Sequence, residues 1–261
     1  MKSGFIGGII GYTLLKNFGR HAQAPDYLNG TTYDDVSKLE VLLGKDVWKD
    51  VKHKVVVDYG CGSGIEAIEM ARHGAKRVIG FDTWDKALRQ ARINAVKAGV
   101  TDICEFTGAL YGQQSLGNLP FADVIFSLDA FEHYNEPAAI LKHMRTLLKP
   151  GGRVVICFGP PWMHPYGGHL FSIFPWSHLL FTEKAQMRWR SDFKSDGAIR
   201  FHEVEGGLNQ MTIREFKQLV VESDFVMEKF EPVPIRKLRW FSNALTREFT
   251  TSVVRCTLVA K

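Results

Sequence analysis

Hydrophobic positions along the chain follow two patterns in alternation. Runs rich in β-branched and aromatic residues occur at Val55–Asp58, Arg77–Phe81, Ile103–Phe106, Ala122–Ser127 and Arg153–Phe158. Short apolar runs of this kind read as buried strands. Between them, Gly64–His73, Trp84–Ala98 and Pro137–Leu148 carry apolar residues at spacings near three and four, the period of a helix with one buried face. Strand–helix alternation predicts a parallel sheet with helices on both faces.

Beyond the fifth strand the pattern changes. Roughly fifty residues, about 159–211, precede the next helical stretch, whereas connections in α/β units usually take about two to six. This segment is crowded with aromatic residues: Trp162, Tyr166, Phe171, Phe174, Trp176, Phe181, Trp189, Phe193 and Phe201. A connection so long predicts a lid or a small subdomain. Thr212–Ser223 then reads as a helix opened by a capping box, Thr212 with Glu215 three residues on. Two strand-like runs, Phe225–Phe230 and Thr250–Ala260, follow with no helical pattern of their own between them. They predict an antiparallel hairpin closing one edge of the sheet.

Composition sets bounds. The 261 residues are 45% hydrophobic and 23% charged, the balance of a globular chain long enough for one α/β domain with a sizeable insertion. The net charge of +5 suits an acidic substrate or an anionic surface, and does not of itself argue for nucleic acid. Cys61, Cys104, Cys157 and Cys256 stand far apart without a CxxC pair, which reads as buried free thiols in a reducing compartment.

The chemistry gathers where the strands end. The first strand runs into Asp58-Tyr59-Gly60-Cys61-Gly62-Ser63-Gly64. Glycines at alternate positions allow a tight turn and let a ligand approach bare backbone, and the helix starting there turns its free N–H groups to the same ligand. Asp82, eighteen residues beyond Gly64, ends the second strand, where a carboxylate can take both hydroxyls of a ribose. The glycines alone do not choose the ligand, since Gly62-Ser63-Gly64 with Ala67 also satisfies the dinucleotide pattern G-x-G-x-x-A. Their surroundings do, Asp58 before them, Asp82 after them and the Pro150-Gly151-Gly152 turn downstream: a carboxylate in the loop suits a ligand carrying an ammonium and a sulfonium, and repels a pyrophosphate. Downstream, Ser127-Leu128-Asp129-Ala130-Phe131-Glu132-His133 ends the fourth strand and Leu148-Lys149-Pro150-Gly151-Gly152 introduces the fifth.

With these motifs in this order, the chain resembles the class I S-adenosylmethionine-dependent methyltransferases, closely over about 54–158 and more loosely through the terminal helix and hairpin. The resemblance implies a Rossmann-like α/β fold: a seven-stranded, mostly parallel sheet with an antiparallel C-terminal hairpin, helices on both faces and, here, an aromatic-rich lid after the fifth strand. Residues 1–45 would form an N-terminal helical segment or cap, 46–158 the S-adenosylmethionine-binding core, 159–211 a lid or acceptor-binding insertion, and 212–261 the remainder of the core. The implied cofactor is S-adenosyl-L-methionine. Asp58, Gly60 and Gly62, with Cys61 in the same loop, would hold its methionine part, Asp82 its ribose, and Thr83 would flank the adenine; Ser127 would lie near the amino group. The third strand departs from the family, whose members often place an acidic residue before a small one to contact the adenine amine. Here the pair is Gly108-Ala109, so a backbone contact at Ala109 would replace that carboxylate.

Methyl transfer from a sulfonium is an in-line displacement, so the protein must chiefly align the acceptor and exclude water. A base is needed only for a poorly nucleophilic acceptor such as a hydroxyl. His133 is the candidate, with a structural role for Glu132-His133 as the alternative. Of the insertion's His164, His169 and His178, His169 beside Gly167-Gly168 is the one expected to line the acceptor pocket. As metal ligands the three lack a close pair or a partnering carboxylate, so no metal is expected. Most of the insertion's aromatics should form its own core, and the remainder a flat apolar pocket for a small or lipid-like organic acceptor.

At the N-terminus, Gly4–Leu15 is too short to span a bilayer, and Lys16, Arg20 and His21 separate it from Ala22-Gln23-Ala24, which argues against a secretory signal. It reads as a helix packed on the domain or covering the cofactor, with a weak membrane-surface contact as the alternative. The basic stretch Arg236-Lys237-Leu238-Arg239 reads as solvated surface. The expected protein is therefore a cytoplasmic, monomeric or homodimeric methyltransferase acting on oxygen of a small molecule, without a nucleic-acid partner. Transfer to nitrogen or carbon, a donor-binding protein without chemistry, and a nicotinamide-dependent oxidoreductase are the competing readings.

Overall fold

The structure, a computed structural model, describes residues 4–19, 36–108 and 121–261. Helices α1 (Gly8–Phe18), α2 (Lys38–Leu43) and α3 (Val47–Val51) precede β1 (Val55–Tyr59). The alternating part continues as α4 (Ile65–Arg72), β2 (Arg77–Asp82), α5 (Asp85–Ala98), β3 (Cys104–Gly108), β4 (Ala122–Leu128), α6 (Pro137–Leu147) and β5 (Leu148–Phe158). The insertion contributes α7 (Ser177–Leu180) and α8 (Glu183–Arg190); α9 (Ile213–Glu222), β6 (Phe225–Pro234), α10 (Arg247–Thr250) and β7 (Thr251–Ala260) follow.

One seven-stranded sheet forms in the order β3-β2-β1-β4-β5-β7-β6. The pairs among β1 to β5 are parallel, and β7 runs antiparallel to both β5 and β6, as the patterning predicts. From β1 the chain winds outward to β2 and β3 on one side, then returns to β4 and β5 on the other. This reversal opens a crevice at the C-terminal ends of β1 and β4.

Alternation along the strands divides the core. Val56, Val124 and Phe126 pack with α2, α3, α4 and α5 on one face, while Val57, Tyr59, Ile125 and Ile156 pack with α6 and α9 on the other. The capping box at α9 is in place: Thr212 Oγ1 accepts from the Glu215 N–H at 3.1 Å, and the Glu215 carboxylate accepts from the Thr212 N–H at 3.2 Å. Between β6 and β7 the chain makes a short 3-10 turn, Arg236–Phe241, and the one-turn helix α10. The sequence pattern predicts no helix there, because elements of one turn are too short to show a period.

The insertion has a core of its own. Trp162, Phe171, Phe181, Trp189 and Phe201 are buried together, with Leu15 of α1 among them. The described residues of the segment 1–45 therefore divide. The chain at Phe5 and Ile6 donates to the Leu180 carbonyl, both at 2.9 Å, and α1 lies along α8, whereas Leu39 and Leu42 of α2 join the sheet's core. The outer face of α1 leaves Ile9, Ile10 and Phe18 exposed, and among the described residues no helix is long and apolar enough to cross a membrane. Because Leu15 is fully buried, Leu15→Ala should destabilise the chain by roughly 2–5 kcal/mol, read as a lower urea midpoint. A midpoint unchanged from wild type would show that α1 is not part of the folded unit.

Candidate active site

Asp58 lies level with Gly80 of β2 and Phe126 of β4 and is buried. The backbone of Ala67, in the first turn of α4, hydrogen-bonds the carboxyl, yet Oδ2 has no hydrogen-bond partner among the described residues. Burial pushes its pKa up to about 8, with Glu66 adding to the rise and Lys38 opposing it. A buried, unmatched carboxylate oxygen costs on the order of 1–3 kcal/mol unless a ligand supplies a partner. Beside it, Gly60, Gly62 and Gly64 all adopt positive φ. At Gly62 a side chain would meet no atom within 4 Å, so this part of the loop presents bare backbone to open space.

Asp82 braces the loop. Its Oδ2 accepts from the Gly62 N–H and its Oδ1 from the Trp84 N–H, both at 2.8 Å, and each carboxylate oxygen keeps a further lone pair for a ligand hydroxyl. A cavity of about 800 Å³ opens here, lined by Asp58, Gly60, Cys61, Gly62, Asp129 and Lys38 among others. Thr83 lines a neighbouring cavity of about 560 Å³ with Tyr59, His133, Tyr134 and His143. The fold thus brings four of the expected donor residues to one cavity, ties Asp82 to it through Gly62 and sets Thr83 on the next. Ala109 lies outside the described residues.

Ser127 faces away from this loop. With Phe126 and Leu128 on the Asp58 face, alternation along β4 turns Ser127 to the opposite one. There its hydroxyl donates to the Tyr134 oxygen at 2.9 Å, and Tyr134 donates to the Tyr59 carbonyl at 2.8 Å. The residues of this strand end that line the larger cavity are Leu128 and Asp129. Sequence reasoning missed Lys38, whose Nζ lies 3.0 Å from Asp129 and 3.5 Å from Glu66. Burial works against its charge, but Asp129 and Glu66 outweigh burial and hold its pKa above the ordinary lysine value. No motif marks Lys38, because α2 enters the site by packing alone.

The turn after β4 forms a second cluster. Buried Glu132 accepts from the Gly159 N–H through Oε1 at 3.2 Å, while Oε2 has no partner among the described residues. Burial raises its pKa, against the pull of His133. His133 Nδ1 donates to the Gly207 carbonyl at 2.8 Å, so the neutral ring carries its lone pair on Nε2. Gly207 has φ +70, and a side chain there would stand 2.8 Å from the His133 carbonyl oxygen. Asn209 locks the same turn, its side chain donating to the Phe131 and Tyr134 carbonyls at 2.8 and 2.9 Å.

His169 reaches this turn from the insertion. Its ring lies 5.3 Å from that of His133, edge-on, and its Nε2 has no partner among the described residues. Burial pushes its pKa down to about 3. The other two histidines serve the insertion itself. His178 Nε2 donates to the Trp162 carbonyl at 2.7 Å and its Nδ1 accepts from Ser172, while His164 Nδ1 accepts from the Tyr166 N–H at 2.9 Å. His133 lines the 560 Å³ cavity and also a small one of about 150 Å³ shared with His169. The aromatics Trp162, Phe181 and Trp189 point instead into the insertion's core.

Residues 57–156 match the methyltransferase domain family. Over this stretch the core of the chain is similar to that family. Over 102 residues the methyltransferase core is 40% identical to the ubiquinone biosynthesis O-methyltransferase of Ralstonia nicotianae, a match covering 39% of this chain and 41% of the relative. The chain thus spans about two fifths of the length of the curated relatives it matches. Among solved structures, an S-adenosylmethionine-dependent methyltransferase from Aquifex aeolicus shares the fold with a TM-score of 0.53 and 16% identity, over 90% of this chain and 98% of that one. The PH0226 protein of Pyrococcus horikoshii does so with a TM-score of 0.56 and 16% identity, over 91% and 99%.

S-adenosylmethionine, the donor of this methyltransferase family, supplies an electrophilic methyl group on a sulfonium when bound. The residues present fit it: Asp58 Oδ2 lacks a hydrogen-bond partner among the described residues, Gly62 is bare and Asp82 can still accept. An ammonium at Asp58 favours the ionised carboxylate. The free carboxyl, with its pKa at about 8, is mostly protonated at pH 7, so binding of S-adenosylhomocysteine should release a proton. Affinity should then rise with pH and level off above about 8. Calorimetry at pH 7 in phosphate and in Tris will give different enthalpies if so; equal enthalpies would refute the assignment of Asp58.

Proposed function

We propose that the chain transfers a methyl group from S-adenosyl-L-methionine to a hydroxyl of a small organic acceptor. The observation that carries this reading is the buried Asp58 carboxylate, unmatched at Oδ2, beside a glycine loop whose backbone is open at Gly62. The identity to curated O-methyltransferases over the core supports oxygen as the acceptor atom. In this reading Asp58, Gly60, Cys61 and Gly62 hold the methionine part and Asp82 the ribose. Thr83 lies on the adenine side, and Ser127 supports the amino-group end through Tyr134.

The acceptor enters on the His133 side. In-line displacement requires the hydroxyl oxygen behind the methyl carbon, held in place and shielded from water. His133 and His169 are the groups placed to receive it, with His133 Nε2 as the lone pair toward which the hydroxyl is drawn and its proton leaves. The insertion closes this side as a lid, its aromatic core keeping His169 in place. Four buried, unpaired cysteines suit a reducing compartment, and a cytoplasmic enzyme is part of the proposal.

Incubation with labelled donor and a metabolite extract should yield S-adenosylhomocysteine only when extract is present. Binding of S-adenosylhomocysteine without turnover in any extract would favour a donor-binding protein. Asp82→Ala should weaken S-adenosylhomocysteine binding on the order of 100-fold, since it removes both the ribose acceptor and the brace on Gly62. His133→Ala should lower turnover on the order of 100-fold or more and leave donor affinity near wild type. Equal losses in both would place His133 outside the acceptor site.

A further inference from the structure

Around His133 the structure leaves ligand atoms without partners. One ligating atom from each of Glu132, His133 and His169 lies within 4.8 Å of the other two. Glu132 Oε2 and His169 Nε2 are both buried and unmatched among the described residues, while the bond from His133 Nδ1 to Gly207 leaves Nε2 of that ring as its lone pair. Buried polar atoms in native proteins are nearly always satisfied, and here two unsatisfied ones converge with a third potential ligand.

We propose that Glu132, His133 and His169 bind a divalent transition-metal cation. Two imidazoles and one carboxylate favour zinc or its first-row neighbours, whereas magnesium and calcium take sites built from oxygen. The supporting hydrogen bonds are those metal ligands make. The second nitrogen of His133 donates to a backbone carbonyl, and the second oxygen of Glu132 accepts from the Gly159 amide. Metal–nitrogen distances of about 2.0–2.1 Å set tetrahedral ligand atoms about 3.4 Å apart, so ligand atoms that lie within 4.8 Å of one another close in by up to about 1.4 Å as the cation enters. The expectation of no metal rested on the insertion's histidines lacking a close pair and a carboxylate. The turn after β4 supplies both to His169.

Three protein ligands leave at least one coordination position, beside the cavities that His133 lines. On the reading of methyl transfer, that position takes the acceptor's oxygen. With His133 Nε2 engaged by the cation, the cation rather than a free imidazole lowers the hydroxyl's pKa and its proton leaves to solvent. The substrate class therefore narrows to acceptors whose hydroxyl can coordinate a cation. Cation binding itself does not depend on that reading.

The full chain, stripped with chelator and dialysed, is titrated with Zn²⁺ alone and in parallel with Co²⁺, and its metal content is measured. One bound equivalent of Zn²⁺ is expected, with a visible Co²⁺ band typical of four- or five-coordinate nitrogen–oxygen ligation. His169→Asn and Glu132→Gln should each weaken Zn²⁺ binding on the order of 100-fold, while the exposed His202→Ala should not. Circular dichroism and S-adenosylhomocysteine titration of each variant separate ligand loss from misfolding. Where both variants misfold, the Co²⁺ spectrum of the wild type decides. Absence of stoichiometric Zn²⁺, an octahedral all-oxygen Co²⁺ spectrum, or wild-type binding in folded His169→Asn and Glu132→Gln would overturn the site. If S-adenosylhomocysteine binds and Zn²⁺ does not, the cation site fails and the donor reading stands; the reverse result leaves the cation site standing without the donor reading.

Discussion

The carboxylate of Asp58, buried at the end of β1 with one oxygen unmatched, fixes the arrangement around it. Taking such a group out of water is unfavourable without compensation. The surroundings compensate only partly: a backbone hydrogen bond from Ala67 and the charge of Lys38 favour ionisation, while Glu66 and Asp82 oppose it. Lys38 is itself paired with Asp129 and Glu66, so α2, α4 and the end of β4 are joined through one ammonium. On the proposed reading, a cationic ligand group at Asp58 would complete this set of charges, and the glycine loop beside it leaves room for one.

The acceptor side depends on a different constraint. Alternation along β4 sends Leu128 to the Asp58 face and Ser127 to the other, where Tyr134 and Tyr59 take up its hydroxyl. The chain then turns at once through Glu132 and His133, and the insertion's returning backbone closes on that turn at Gly207 and Asn209. The insertion's aromatic residues serve as the packed body that holds His169 at the crevice. A platform with its own core and with α1 laid against it can hold a side chain more accurately than a loop.

Much of the fold was legible because its signals are local. The apolar runs, the helical spacings, the capping box at Thr212 and Glu215 and the long aromatic insertion are all features of neighbouring residues, and the sheet follows from their order. The grouping of the proposed donor residues was legible for the same reason: Asp58, Gly60, Cys61 and Gly62, which line one cavity, are consecutive or nearly so. Ser127 and Lys38 show where this ends. Ser127 stands in a recognisable motif, but which face of the sheet it meets is set by strand register. Lys38 stands in no motif and arrives by helix packing.

The sequence by itself determined the α/β order, the antiparallel closing hairpin and the aspartate–glycine cradle, since period, turn chemistry and charge act over a few residues. Only the tertiary structure decided that His178 and His164 spend their nitrogens inside the insertion while His169 keeps one free beside Glu132 and His133. It also decided that α1 and α2 join two different cores. These outcomes depend on which distant surfaces bury each other, and burial between elements far apart in the chain leaves no period or spacing to read.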